Sequence, residues 1–313
     1  MVPPLMDNRD VIKATKVSKS FGDFKALNEF SCTIRKGECF GLLGPNGAGK
    51  STFINLLYGV LARSDGDLTV FGMDPSRDAR AIKRRLGVVT QDNALDESLT
   101  VLENMQLYSA FVEVPRSVQA ERIDHLLGFM NLNHKRTQPI RTLSGGMKRR
   151  LVFVRALLSD PDVVILDEPT TGLDPAVRHL LWGKISELKE RGKTILLTTH
   201  YMHEAEVLCD RLVIMNGGQV VSDGSPKELL HQHTPGYVGV FEKSLAASEH
   251  FSILAERQFH VLEDSSGLYV RAPELADLLR LQEDFNTKAL QLRPAHLEDV
   301  FLKLTGKELT ADA

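Results

Sequence analysis

Residues Gly44–Ser51 read GPNGAGKS and fit the pattern G-x-x-x-x-G-K-[ST]. The apolar stretch Cys39–Leu43 before them predicts a short buried strand, and Ser51–Leu61 after them has helical spacing. A glycine-rich loop in that context points main-chain N–H groups at a phosphate, and the helix N-terminus adds positive potential. An ordinary glycine-rich turn would not need these flanking elements. We therefore predict a phosphate-binding loop, with Lys50 on the β- and γ-phosphates of a nucleotide and the Ser51 hydroxyl on Mg²⁺.

A second apolar stretch, Val163–Leu166, is followed at once by Asp167 and Glu168. An acidic pair of this kind is often no more than the end of a strand. In open α/β sheets, however, ligands bind at the carboxyl ends of the strands, which is where the phosphate-binding loop also lies. We therefore predict that Asp167 holds Mg²⁺ through water and that Glu168 polarises the attacking water.

Composition limits the class of protein. The 313 residues are 42% hydrophobic and carry a net charge of −3, which disfavours a disordered chain and a nucleic-acid-binding protein. No apolar run approaches the roughly 18–20 residues that span a bilayer, and Met1–Asp10 lacks the apolar core of a signal peptide. Three cysteines without metal-ligand spacing fit a reduced compartment. These features predict a cytoplasmic protein.

The sequence predicts two domains, 1–235 and 236–313. The boundary lies where Pro235 and polar residues interrupt the pattern of apolar residues. Helical spacing over about 93–158 predicts a helical insert in the first domain. The pattern of the second domain predicts a small α+β unit with elements in the order β-α-β-β-α-β. A ferredoxin-like fold is one candidate for this order. Its predicted elements are strand Tyr237–Phe241, a helix, strand Phe259–Leu262, turn Ser265–Gly267, strand Leu268–Ala272, a helix, strand Ala289–Leu292 and a final helix.

A third motif makes the assignment specific. Leu143–Met147 reads LSGGM, a glycine-rich loop before a basic helical segment, and residues 167–170 read DEPT. With the phosphate-binding loop, these motifs resemble the ABC transporter ATPase family, in order, from about Val11 to Gly224. The resemblance implies an α/β P-loop NTPase fold, an ABC-type nucleotide-binding domain with a helical subdomain.

The resemblance also implies roles for individual residues. Glu168, His200 and Gln91 would be catalytic, and Ser51, Gln91 and Asp167 would bind Mg²⁺. The loop Gly172–Asp174 would link the two sites of a dimer. ATP would be contacted by Phe21, which stacks on adenine, and by Gly44, Asn46, Gly47, Gly49, Lys50, Ser51, Thr52, Ser144, Gly145 and Gly146.

Several positions leave two interpretations open. Phe21 is either the adenine-stacking aromatic or a core residue at a strand end. Met147 stands where the family loop commonly has Gln, although the hydroxyl and N–H donors before it are kept. The basic run Lys148–Arg150 is either functional or a solvated helix face, and His203 is interpreted as a surface residue.

One subgroup of this family contains drug-resistance and nodulation-factor export ATPases. The chain resembles that subgroup in the LSGGM ending, the segment Thr198–Glu206 and the tail sequence His296–Phe301. This implies export through a separate ABC-2-type permease and a head-to-tail homodimer of the ATPase. Contact with the inner face of the cell membrane would then come only through that partner. Two alternatives are a non-transport ABC ATPase acting on ribosomes or DNA, and a different P-loop enzyme such as a small-molecule kinase.

Overall fold

A computed structural model describes residues 10–92, 94–242, 259–263 and 267–305. Its largest sheet has the strand order β5-β6-β7-β3-β8-β9, with strands numbered along the chain. These strands are β3 (Cys39–Leu43), β5 (Leu86–Val89), β6 (Val163–Asp167), β7 (Thr194–Thr199), β8 (Arg211–Asn216) and β9 (Gln219–Gly224).

The strands from β5 to β8 in that order pair in parallel. The strands β3, β6 and β7 are almost entirely buried, which explains why they are continuous apolar runs rather than alternating patterns. Because they are parallel, their carboxyl ends meet at one edge of the sheet.

A second sheet is antiparallel and has the order β2-β1-β4. Its strands are β1 (Asp10–Phe21), β2 (Phe24–Arg35) and β4 (Asp65–Val70). Its buried side chains share one core with the parallel sheet. The rings of Phe30 and Phe53, for example, lie with their centroids 4.7 Å apart in that core.

The helices of this first part are α1 (Lys50–Leu57), α2 (Pro75–Lys83), α3 (Val101–Phe111), α4 (Arg116–Phe129), α5 (Gly145–Ala156), α6 (Pro175–Glu190) and α7 (Met202–Leu208). Helices α3, α4 and α5 confirm the helical character of the predicted insert. The first helix is shorter than predicted: it ends at Leu57 rather than Leu61, because Gly59 has a φ of +64° and breaks the helical path.

The chain divides into two compact units between Asp223 and Gly224. The second unit thus begins before residue 236, because helix α8 (Pro226–His233) packs with the C-terminal helix α10 (Leu297–Thr305). Lys303 Nζ donates a hydrogen bond to the His233 carbonyl at 2.7 Å.

The second unit contains an antiparallel sheet in the order β11-β12-β10-β13, and helix α9 (Leu275–Asp284) packs on it. The strands are β10 (Tyr237–Phe241), β11 (His260–Glu263), β12 (Leu268–Ala272) and β13 (Gln291–Pro294). Numbered within the unit the order is 2-3-1-4, which is the order of a ferredoxin-like sheet. The helix predicted between β10 and β11, and residues 265 and 266 of the predicted turn, lie outside the described residues.

None of the helices among the described residues combines the length and the apolar character that crossing a bilayer requires.

Candidate active site

The predicted site residues follow four neighbouring strands of the parallel sheet, in the order β5-β6-β7-β3. Gln91 comes just after β5, Asp167 ends β6, His200 follows β7, and the Gly44–Ser51 loop follows β3. The parallel arrangement therefore brings together, at one edge, residues that lie up to 156 positions apart in the chain. Ligand sites of open α/β sheets form at this kind of edge.

The phosphate-binding loop depends on glycine at its last turn before α1. Gly49 has a φ of +103°, and a Cβ there would lie 2.5 Å from the carbonyl oxygen of Ala26. A side chain would therefore meet both an unfavourable backbone conformation and a steric clash with main chain. This close packing fixes the loop against β2 and sets the start of α1.

Lys50 is the first residue of α1 and is only 7% exposed. Its Nζ donates hydrogen bonds to the carbonyl oxygens of Gly44 (2.7 Å) and Pro45 (3.2 Å), so the side chain folds back over its own loop. Burial lowers the pKa of Lys50, and the carboxylates of Glu168 and Asp167 oppose that effect. The ammonium group is thus held over the loop that would receive a phosphate.

Asp167 and Glu168 occupy different environments although they are adjacent. Burial raises the pKa of Asp167, while the hydrogen bond from the Thr198 hydroxyl to its Oδ1 acts in the opposite direction. Glu168 has a φ of +46°, and its N–H donates to the Thr198 carbonyl at 3.0 Å. A left-handed conformation in a residue other than glycine costs of order 1–3 kcal/mol and is concentrated at functional sites. Here it turns Glu168 away from the line of β6.

The Glu168 carboxylate contacts the side chain that follows the next strand. His200 Nδ1 lies 3.2 Å from Glu168 Oε2, and the Thr171 hydroxyl donates to the same oxygen at 3.3 Å. The hydrogen bond from His200 lowers the pKa of Glu168, and Glu168 in turn raises the pKa of His200. The two side chains therefore form an ion pair whenever the imidazole is protonated.

The LSGGM loop forms the start of α5. Ser144 is its N-cap and accepts a hydrogen bond from the Met147 N–H at 3.3 Å, so the Met at that position does not disturb the cap. Ser144 and Gly145 are exposed. Beside them is a cleft of about 240 Å³, whose lining residues are Gln91, Gly145, Gly146, Arg149, Glu168, Thr171, Gly172, Leu173 and Asp174.

The remaining predicted residues lie at the surface or partly buried. Phe21 is 47% exposed, with Lys19 Nζ 5.0 Å from its ring centroid, so the interpretation of Phe21 as a core residue is wrong. Ser51 is exposed and Thr52 partly buried, both in the first turn of α1. His203 is exposed, as predicted, and its ring lies against that of Trp182.

Arg149 and Glu204 are charged residues whose burial was not predicted from the sequence. Arg149, which was considered as part of a solvated helix face, is only 5% exposed, so that interpretation is wrong for it. Glu204 is fully buried, and its Oε1 accepts hydrogen bonds from the Thr170 hydroxyl (2.8 Å) and Trp182 Nε1 (2.9 Å). Burial raises the pKa of Glu204. Its helical spacing to Leu208, a buried apolar residue four positions further on, was the available signal.

The chain is similar to known proteins along nearly its whole length. A family model described as ABC transporter matches residues 27–171. A Nod factor export ATP-binding protein I from Cupriavidus pinatubonensis is 41% identical over 301 residues, covering 96% of this chain and 92% of that protein. The protein of the same name from Rhizobium meliloti is 43% identical over 307 residues, covering 95% of this chain and 89% of that protein.

Solved structures agree with these relatives. The structure of an ATP binding subunit of an ABC transporter is 29% identical with a TM-score of 0.66, covering 71% of this chain and 92% of that one. A dimeric post-hydrolysis state of an ATP-binding cassette bound to ADP and Pi is 25% identical with a TM-score of 0.62, covering 68% and 98% respectively. The chain therefore belongs to the ABC transporter family of ATP-binding proteins, in which it is the subunit that binds and hydrolyses ATP.

Proposed function

We propose that this ATPase drives export through separate membrane subunits, and that two copies of it assemble head to tail around ATP. The observation that supports the head-to-tail assembly is that the Ser144 loop is exposed at the start of α5, where a second copy can reach it, while Lys50, Asp167, Glu168 and His200 lie together at the edge of the sheet. In such a dimer, the Lys50 loop of one subunit and the Ser144 loop of the other hold the same ATP.

Within that composite site each residue has a proposed task. Lys50 and the N–H groups of its loop bind the β- and γ-phosphates, and Phe21 offers an exposed ring for adenine. Glu168 accepts a proton from the attacking water, while His200 and Gln91 contact the γ-phosphate side of the site. Thr52 follows Ser51 in the first turn of α1, the end of the helix that faces the bound phosphates in this proposal.

Ser51 and Asp167 would hold Mg²⁺, with Gln91 as a third ligand. One hydroxyl and one carboxylate suit an ion that keeps several waters and binds substrate phosphates, rather than an all-protein cage. The described residues contain no cluster of three or more His, Cys, Asp or Glu side chains that would form such a cage. Mg²⁺ held there would supply positive charge that neutralises the charge developing on the phosphates during hydrolysis.

Export is proposed from the relatives, which are named as Nod factor export ATP-binding proteins, and the membrane partner is proposed from the resemblance of the sequence motifs to export ATPases. We assign an ABC-2-type permease as the partner, and through it a position at the inner face of the cell membrane.

A groove in the first unit is a suitable binding site for a cytoplasmic segment of that permease. It encloses about 680 Å³ between α2, α3 and β5. Phe111, which lines this groove, is 73% exposed, the highest value among the exposed large apolar side chains of the described residues. Arg80 and Arg84 share the single carboxylate of Glu113, so an occupant with acidic and apolar side chains fits the groove.

The composite site is tested by mixing two inactive variants, Lys50→Ala and Ser144→Arg. A mixed dimer places both lesions in one site and leaves the other intact. ATP hydrolysis should therefore return on mixing, although each variant alone is inactive. Mixed dimers that form but recover no activity, or a monomer that hydrolyses ATP at the full rate, would contradict the head-to-tail arrangement.

The binding site for the permease is tested with Phe111→Asp in cells that also express the membrane subunit. The variant should lose co-purification with that subunit while the isolated ATPase keeps its hydrolysis rate within about twofold. Val60→Asp is the matched control, because Val60 is 60% exposed and does not line the groove. Full co-purification of Phe111→Asp would exclude the groove as the binding site.

A further inference from the structure

Arg149 lies in the second turn of α5, one turn beyond the exposed Ser144 loop, and its side chain is buried. A guanidinium group has five N–H donors, and each one here donates to a different main-chain carbonyl oxygen. The acceptors are Thr90 (2.5 Å), Gln91 (3.0 Å), Asp167 (3.2 Å), Glu168 (2.8 Å) and Pro169 (2.8 Å).

These carbonyls belong to two segments, which follow the neighbouring parallel strands β5 and β6. The first segment carries Gln91 and the second carries Asp167 and Glu168. Since the segments are 76 residues apart in the chain, no local turn relates them. Arg149 joins both segments to a single rigid helix.

The chemistry of the contact explains why it is specific. The guanidinium is a buried cation, and each of its N–H groups donates to a carbonyl oxygen. Removing the side chain would leave those buried carbonyl groups without a hydrogen-bond donor. Lysine has three donors on one nitrogen, so it cannot reproduce the planar fork that reaches two segments at once. Glutamine offers only two donors and no charge.

We propose that Arg149 is a positioning residue, which holds the main chain of Glu168 in the geometry needed for hydrolysis by anchoring it to the Gln91 segment and to the helix that begins with Ser144. The proposal rests on the proposed function of Glu168. Arg149 acts only through the main chain and does not touch the reacting atoms. In a head-to-tail dimer, the same helix presents Ser144 to the second ATP, so Arg149 links the Glu168 segment of one site to the helix that serves the other.

The first test is the split between turnover and substrate affinity in Arg149→Lys and Arg149→Gln. Displacing a reacting group by about 1 Å can cost roughly 100-fold in rate. We expect kcat to fall about 100-fold in both variants while the KM for ATP changes less than about threefold. If Arg149→Gln does not fold, the test relies on the kcat and KM of Arg149→Lys, which keeps the charge.

The matched control is Arg150→Lys. Arg150 is the next residue on α5, but it donates to the Met130 carbonyl at 3.1 Å, at the end of α4 and away from the catalytic segments. Its kcat should remain within about threefold of the wild-type value. A thermal melt of every variant separates a folded protein with slow turnover from an unfolded one.

The second test combines each substitution with Glu168→Gln and measures single-turnover hydrolysis. If Arg149 acts by placing the Glu168 carboxylate, Arg149→Lys should slow the residual rate by less than about fivefold in this background. A full 100-fold loss there, or a folded Arg149→Lys with wild-type kcat, would overturn the proposal. Wild-type turnover in Glu168→Gln alone would instead refute the proposed role of Glu168.

Discussion

His200 Nδ1 and Glu168 Oε2 are 3.2 Å apart, although the two residues follow different strands of the sheet. The contact lowers the pKa of the carboxyl and raises the pKa of the imidazole. Each group thus favours the charged form of the other. Glu168 is kept ionised, as a proton acceptor must be, by the residue that the family resemblance places near the γ-phosphate.

This contact predicts a change in the pH dependence of hydrolysis. In His200→Ala, Glu168 loses the group that lowers its pKa, so it should take up a proton at a higher pH than in the wild type. The acid limb of the kcat profile should therefore move to higher pH, even if the maximal rate also falls. His203→Ala is the control, because His203 is exposed three residues further on. An acid limb at the same pH in all three proteins would show that Glu168 does not set it.

The geometry of Gly49 predicts a loss of stability on adding one methyl group. Gly49→Ala must adopt a φ of +103° and place its Cβ 2.5 Å from the Ala26 carbonyl, so unfolding free energy should fall by about 1–3 kcal/mol or more. Gly183→Ala is the matched control in the middle of α6, where a Cβ would meet no atom within 4 Å. There alanine should stabilise by about 0.5–1 kcal/mol. Urea unfolding of both variants tests the pair, and equal effects would contradict the argument.

The buried ion pair of the second unit predicts a local effect. The Asp299 side chain is 1% exposed and accepts from Arg293 (2.6 and 3.1 Å) and from the His296 N–H (2.7 Å). Removing one partner of a buried pair typically costs about 3–5 kcal/mol, so Asp299→Ala should destabilise this unit strongly.

Nucleotide binding should survive that change, because every residue predicted to contact ATP precedes Gly224. Hydrogen exchange should increase in β10, β12 and α10, while the ATP affinity of the first unit is unchanged. In the control Asp277→Ala, only a loose surface pair with Arg280 (3.9 Å) is lost, and the effect should stay below about 1 kcal/mol. Loss of ATP binding in a folded Asp299→Ala protein would contradict the prediction.

The parallel strands and the phosphate-binding loop could be predicted because their signals are local. Val163–Leu166 is an unbroken apolar run, and the glycines of the loop lie where only glycine fits. Strand β4 could not be predicted in the same way, since its first half is Asp65-Gly66-Asp67 and only Leu68 and Val70 of the strand are buried. Its pairing with β1, which is remote in sequence, makes it a strand.

Arg149 shows a different limit. The sequence presents three adjacent basic residues on one helix, and composition alone does not say which of them faces inward. Helical spacing does not separate them, because Arg150 has the buried residues Phe153 and Val154 three and four positions further on, just as Arg149 has Val152 and Phe153. What the side chain does there depends on carbonyls from two distant segments, which only the tertiary structure brings together.

The central claim, that Glu168 promotes hydrolysis in an ATP-bridged dimer, is tested most directly with Glu168→Gln. Glutamine keeps the size of the side chain but cannot take a proton as a carboxylate does, and loss of a general base typically costs about 10²–10⁴-fold in rate. With ATP and Mg²⁺, we predict phosphate release slowed by that factor and a stable dimer on size-exclusion chromatography. Wild-type phosphate release, or slow release from a protein that stays monomeric with ATP, would contradict the account.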